Sequence, residues 1–133
     1  MRKLLILMFA LAAGCNDLTD PLPDITGTFD YTSFSSDFVS LNRQGTITIV
    51  DSDPRTARFD GTYSYSVGAG APQTGNLIGA FITPDRIWFR FLDSPVVFHE
   101  TDLDQRVPFS TGEIYFLSTT YEPSGAIFTL RRR

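Results

Sequence analysis

Arg58-Phe59-Asp60-Gly61-Thr62-Tyr63-Ser64-Tyr65-Ser66-Val67 decides the fold. Phe59, Gly61, Tyr63, Tyr65 and Val67 alternate with Arg58, Asp60, Thr62, Ser64 and Ser66. A period of two over ten residues belongs to a β-strand with one covered face and one wet face. Phe59, Tyr63 and Tyr65 therefore point to one side, toward the interior of whatever the strand helps to build.

The same period recurs in both directions. Upstream, Ile47 and Ile49 alternate with Thr46 and Thr48 after Gly45, and Asp51 to Arg55, with Pro54, reads as a turn. Further back, Ile25, Gly27, Phe29 and Tyr31 alternate with Thr26, Thr28, Asp30 and Thr32. Between these two segments Phe38, Val39 and Leu41 suggest a short strand or an irregular crossing. Downstream, Gly68 to Gly75 is a loop of small residues, Leu77 to Ile82 is apolar on both faces, and Pro84-Asp85 is a tight turn. In Arg86 to Leu92, Ile87, Phe89 and Phe91 form one face and Arg86, Trp88 and Arg90 the other. Three more strands are expected, at Val96 to Thr101, Glu113 to Thr119 and Ala126 to Arg132. Asp102 to Pro108 is a polar loop, and Pro123-Ser124-Gly125 reads as a turn before the last strand.

No window from Ile25 onward carries a helical period with caps. Turn signals every eight to twelve residues predict an all-β domain of about eight strands. Sequential hairpins favour a single antiparallel up-and-down barrel, with a β-sandwich as the alternative. Closure would remove exposed edges. An eight-stranded barrel has an interior that side chains just fill, or that holds one small ligand.

The first residues are of another kind. Arg2 and Lys3 precede an apolar run, Leu4 to Ala13, of the length of a secretory signal core and too short to span a bilayer. The run closes on Leu11-Ala12-Ala13-Gly14-Cys15, and Cys15 is the only cysteine. Small residues before a cysteine resemble the lipobox of bacterial lipoproteins. That resemblance implies cleavage between Gly14 and Cys15, diacylglycerol on the Cys15 sulfur and an acylated new amino terminus. The expected organisation is a signal peptide helix over 1–14, an acylated cysteine and tether over 15–24, and a barrel domain over 25–133. Asn16 to Asp24, with Pro21 and Pro23, would reach at most ~25–30 Å from the membrane.

Removing residues 1–14 leaves 119 of 133 residues, enough for one modest core. Loss of Arg2 and Lys3 takes the formal charge from −4 to about −6. An acidic chain argues against nucleic acid, which needs a basic footprint, and against adhesion to anionic head groups. Attachment would come from the acyl chains, which hold nearly irreversibly when several share one cysteine. With Cys15 acylated, the domain stands without a disulfide.

Ile25-Thr26-Gly27-Thr28-Phe29 and Asp60-Gly61-Thr62-Tyr63-Ser64 resemble the strand starts of small avidin-like and lipocalin-like barrels. Gly125-Ala126-Ile127-Phe128-Thr129-Leu130-Arg131 resembles the last strand of small bacterial envelope barrels. The likeness covers about three strands and implies a shape. Of an avidin's ligand set only Tyr63 corresponds, and Trp88 stands alone where that family has a ring of tryptophans.

Chemistry-bearing residues are few. His99, the only histidine, lies in Val97-Phe98-His99-Glu100-Thr101-Asp102. With Phe98 inward, the alternation sends His99 outward, so no activity is expected to depend on it. The rival arrangement is a loop site in which His99, Glu100, Asp102 and Asp104 converge. Asp102-x-Asp104 and Asp51-x-Asp53 have the spacing of calcium loops, but neither is followed by the glycine and distal Glu of an EF-hand. No G-x-S-x-G elbow and no phosphate loop before a helix is present. No metal or cofactor is expected, and no enzymatic activity.

Two functions remain open. The first is a non-enzymatic lipoprotein of the bacterial envelope, more at the outer membrane than the inner, acting on a protein partner through its outer surface and loops. Trp88 between Arg86 and Arg90 is its candidate contact. The second is a carrier of a small apolar ligand inside the barrel, facing Phe59, Tyr63 and Tyr65.

Overall fold

A computed structural model describes residues 22–92, 97–103, 109–116 and 122–133. Gly14 and Cys15, with the whole signal stretch, lie outside the described residues. Eight strands follow one another: β1 (Gly27–Ser35), β2 (Arg43–Asp53), β3 (Arg58–Val67), β4 (Gln73–Thr83), β5 (Arg86–Phe91), β6 (Val97–Asp102), β7 (Phe109–Phe116) and β8 (Glu122–Arg132). Each pairs antiparallel with the next, and β1 pairs with β8, so the sheet is a closed up-and-down barrel. The closing seam sets Tyr31 opposite Leu130 and Phe34 opposite Ile127. That pairing excludes the sandwich, which would leave β1 and β8 as edges.

The residues facing inward are those the alternation of β3 and β5 marks. Phe59, Tyr63 and Tyr65 are buried, as are Ile87, Phe89 and Phe91. Removing each large apolar side chain from water contributes about 1.5–3 kcal/mol, so these six form much of the core. Between them sit glycines at inward positions. Gly45 lies beside Tyr65, Gly75 beside Tyr63 and Gly79 beside Phe59. A Cβ on Gly79 would meet the Phe59 ring and the Trp88 carbonyl, and one on Gly45 would meet the Ser64 carbonyl. Glycine at positions 45 and 79 lets neighbouring groups approach where a side chain would clash.

Four sequence expectations need correction, while of the two readings of Phe38 to Leu41 the irregular crossing holds, as a single 3-10 turn (Val39–Leu41). The Ser35 hydroxyl accepts from the Asp37 and Phe38 amides, and Ser33 Oγ donates to the Leu41 carbonyl at 2.6 Å. These bonds offer the backbone a turn in place of a ladder. The turn read at Asp51 falls later, at 54–57, because Val50 is bulged out of register and β2 resumes to Asp53. The loop read as Gly68 to Gly75 ends sooner, since β4 starts at Gln73. The strand read from Glu113 begins at Phe109 instead, and residues 117–119 are not described. Pro123-Ser124-Gly125 lies inside β8, where the register slips between Ile114 and Tyr115 and Gly125 adopts φ +69. The turn-forming residues serve as a bulge, which needs the same left-handed glycine.

Candidate functional site at the barrel mouth

The two ends of the barrel differ. At the end that carries the 54–57 and 84–85 turns, Phe59 and Phe81 meet edge to face at 6.0 Å and fill the space with Ile49, Leu77 and Ile87. The middle is also packed. Tyr31, Phe89, Phe91, Phe128 and His99 are fully buried and touch one another ring to ring. The opposite end is where β1 hands over to β2 through the 3-10 turn. A cleft of about 400 Å³ lies there between Leu41, Arg43, Tyr63, Tyr65, Val97 and Phe116.

His99 is a correction to the sequence reading. It points into the barrel and is fully buried, while Phe98 lies on the outer face, stacked on Tyr115 at 5.3 Å. In β6 both phases carry apolar residues, and the phase holding Val97, His99 and Thr101 is the one set opposite the inward Ile114 and Phe89. Glu100 and Asp102 take the other face, each bonded to Arg86, at 2.7 and 3.0 Å. His99 therefore cannot converge with them, and the loop site is ruled out; Asp104 is outside the described residues.

The His99 ring stacks on Phe89 at 4.5 Å, nearly parallel. Its Nε2 shares a 2.7 Å hydrogen bond with the Tyr31 hydroxyl, and Nδ1 has no partner within hydrogen-bond geometry. Burial pushes the imidazole pKa down to about 3, the nearby Arg43 charge acts in the same direction, and the approach to the Phe89 backbone opposes both weakly. The ring is neutral at ordinary pH. Burial raises the Tyr31 phenol, partly offset by Ser33 and Arg43. Neither group is poised as a base or nucleophile near neutrality, since both shifts move away from it.

Arg43 completes the cluster, and the sequence reading missed it. It opens β2 on the same phase as Ile47 and Ile49, so the alternation itself marks it as inward. Only 6% of the residue is exposed. Its Nε donates to the Ser40 carbonyl at 3.0 Å, and its guanidinium carbon lies 4.6 Å from the Tyr65 ring centre and 5.9 Å from that of Phe91. Its Nη1 is buried without a partner.

The other candidates are divided. Tyr63 and Tyr65 line the mouth cleft, but Phe59 lies at the packed end. Arg86, Trp88 and Arg90 share the outer face and are half-buried. Trp88 borders a second, outer cleft of about 450 Å³ with Asp51, Asp53, Arg58 and Asp60.

No known protein family matches the chain, and no curated protein is significantly similar to it. Solved structures share its shape. A redesigned β-barrel, b11L5F_LGL, superposes with a TM-score of 0.60 at 18% identity, over 82% of this chain and 91% of the other. The redesigned barrel mFAP1, bound to DFHBI, gives 0.58 at 18% identity over 81% and 94%. EF1p2_mFAP2b, also bound to DFHBI, gives 0.58 at 15% identity over 82% and 94%. At such identities the likeness is one of fold: the chain is an eight-stranded antiparallel barrel of the kind these proteins adopt.

Proposed function

We propose that the protein binds a small, largely apolar molecule in the mouth of its barrel and performs no chemistry on it. The observation that carries this reading is the cleft of about 400 Å³ walled by Tyr63, Tyr65, Leu41, Val97 and Phe116. Its volume lies within the usual range for small-molecule sites, and its walls set these apolar groups beside the polar Ser40, Arg43 and Gln73. Two barrels of similar shape are bound to DFHBI, which supports the architecture as a small-molecule host. Cys15 would hold this binder at the bacterial envelope through its acyl chains, as the lipobox resemblance implies.

A titration of the purified barrel with the neutral fluorophore N-phenyl-1-naphthylamine tests the reading. Saturable fluorescence enhancement is expected, and Val67→Trp, which fills the cleft from the end of β3, should abolish it. An unsaturable signal, or one indifferent to Val67→Trp, would refute it. Trp88→Ala separates the alternative, a contact surface on the outer cleft beside Trp88: loss of binding in that variant would move the site to the outer face.

A further inference from the structure

Arg43 poses a chemical question that the packing of the barrel leaves unanswered. A guanidinium stays charged under all ordinary conditions and presents five N–H donors in a planar fork. Here one donor, Nε, is satisfied by the Ser40 carbonyl. The flat face lies against Tyr65 and, further off, Phe91, which favours a cation, and the Tyr31 hydroxyl is the polar group beside the guanidinium. Nη1 is buried and unpartnered. Among the described side chains no carboxylate is buried inside the barrel, and the ion pairs they form involve Arg86 and Arg133 rather than Arg43. Buried arginines are ordinarily paired.

Arg43 itself lines the mouth cleft. The wall beside it is a bank of rings. Tyr63 stacks on Phe91 at 4.1 Å and 27°, and Tyr65 on Tyr63 at 5.5 Å and 23°. A molecule in the cleft would meet aromatic and aliphatic groups beside one cation.

We propose that the ligand of the mouth cleft is an apolar monocarboxylate whose carboxylate pairs with Arg43. This inference rests on the binding function proposed above and specifies its ligand class. A planar carboxylate matches the guanidinium fork geometrically, and charge-assisted bonds of this kind are about twice as strong as neutral ones. One arginine facing the interior among the described residues balances one negative charge. A phosphate dianion would require more, so the site selects a carboxylic acid over a phosphorylated molecule. The near-parallel rings suit a flat or extended apolar body. Arg43 also holds the Ser40 carbonyl, so the same side chain ties down the 3-10 turn that forms part of the rim.

The test compares two probes of equal shape, naphthalene-2-carboxylate and naphthalene-2-carboxamide, by fluorescence anisotropy on the full chain. The carboxylate should bind at least about tenfold more tightly than the amide. Arg43→Met keeps the bulk of the side chain and removes the charge; it should bind both probes alike. Arg43→Lys keeps the charge and loses the fork, and its preference should be reduced. It serves also should Arg43→Met fail to give a folded spectrum by circular dichroism. Equal binding of both probes by the wild-type chain would overturn the inference and leave the cleft function standing. A carboxylate preference that survives unchanged in both variants would overturn the role of Arg43. Binding of neither probe would overturn both the inference and the function on which it rests.

Discussion

His99 should make the barrel sensitive to acid in a defined window, and the size of the effect can be worked from its surroundings. In the folded chain the imidazole is buried against Phe89 and its pKa lies at about 3, against 6.5 for the free group. Unfolding exposes the ring, so below pH 6.5 the unfolded chain takes up a proton that the folded chain refuses. The stabilising contribution of the neutral ring is therefore complete above pH 6.5. It is lost progressively as the pH falls toward 3, at about 1.4 kcal/mol per pH unit. Relative to neutral pH, His99 alone should destabilise the fold by about 2 kcal/mol at pH 5 and about 3 kcal/mol at pH 4. Urea unfolding of the wild-type chain and of His99→Leu across this range isolates the histidine's contribution, because the other titrations are common to both. At neutral pH His99→Leu removes the Nε2 partner of the Tyr31 hydroxyl and leaves it Ser33 and Arg43 as polar neighbours, at a cost of about 1 kcal/mol or more. Adding Tyr31→Phe should recover most of that loss, since two matched apolar groups replace a buried polar pair. The stability difference between wild type and His99→Leu should therefore shrink, then reverse, on acidification. Parallel pH profiles for the two proteins between pH 6.5 and 4 would refute the burial of a neutral His99.

Three further outcomes are expected. Gly79→Ala drives a methyl into the Phe59 ring and the Trp88 carbonyl, and should lower stability by about 1–3 kcal/mol in a denaturant titration. The Tyr115 hydroxyl donates to Glu113 at 2.6 Å, and that bond, with some burial and the Glu113 charge, pushes the phenol up to about 12. Glu113→Gln should bring one tyrosine back toward 10 in an ultraviolet absorbance titration. Cys15→Ser should release the protein from the membrane fraction and abolish incorporation of labelled fatty acid, and unchanged labelling would remove the anchor.

The sequence by itself determined that about eight strands follow one another in antiparallel order, but not where β2, β4, β7 and β8 begin or end. Alternation is a local property: a strand half in water must carry apolar residues at every second position, so Phe59, Tyr63 and Tyr65, and likewise Ile87, Phe89 and Phe91, announce both their conformation and their inner face. Hairpin spacing then leaves little choice of neighbour. The tertiary structure decided what depends on residues distant in the chain. Closure required β1 to meet β8 in a register that no local pattern encodes. β6 carries Val97 and His99 on one phase and Phe98 on the other, all buried. Only its pairing with β5 and β7 turns the imidazole inward and sends Phe98 out. Pro123 to Gly125 has the composition of a turn, yet it extends β8 as a bulge because β7 lies alongside. Arg43 shows both halves of the division. Its phase on β2 was legible, but its unpartnered Nη1 exists only because the folded interior places aromatic rings around it.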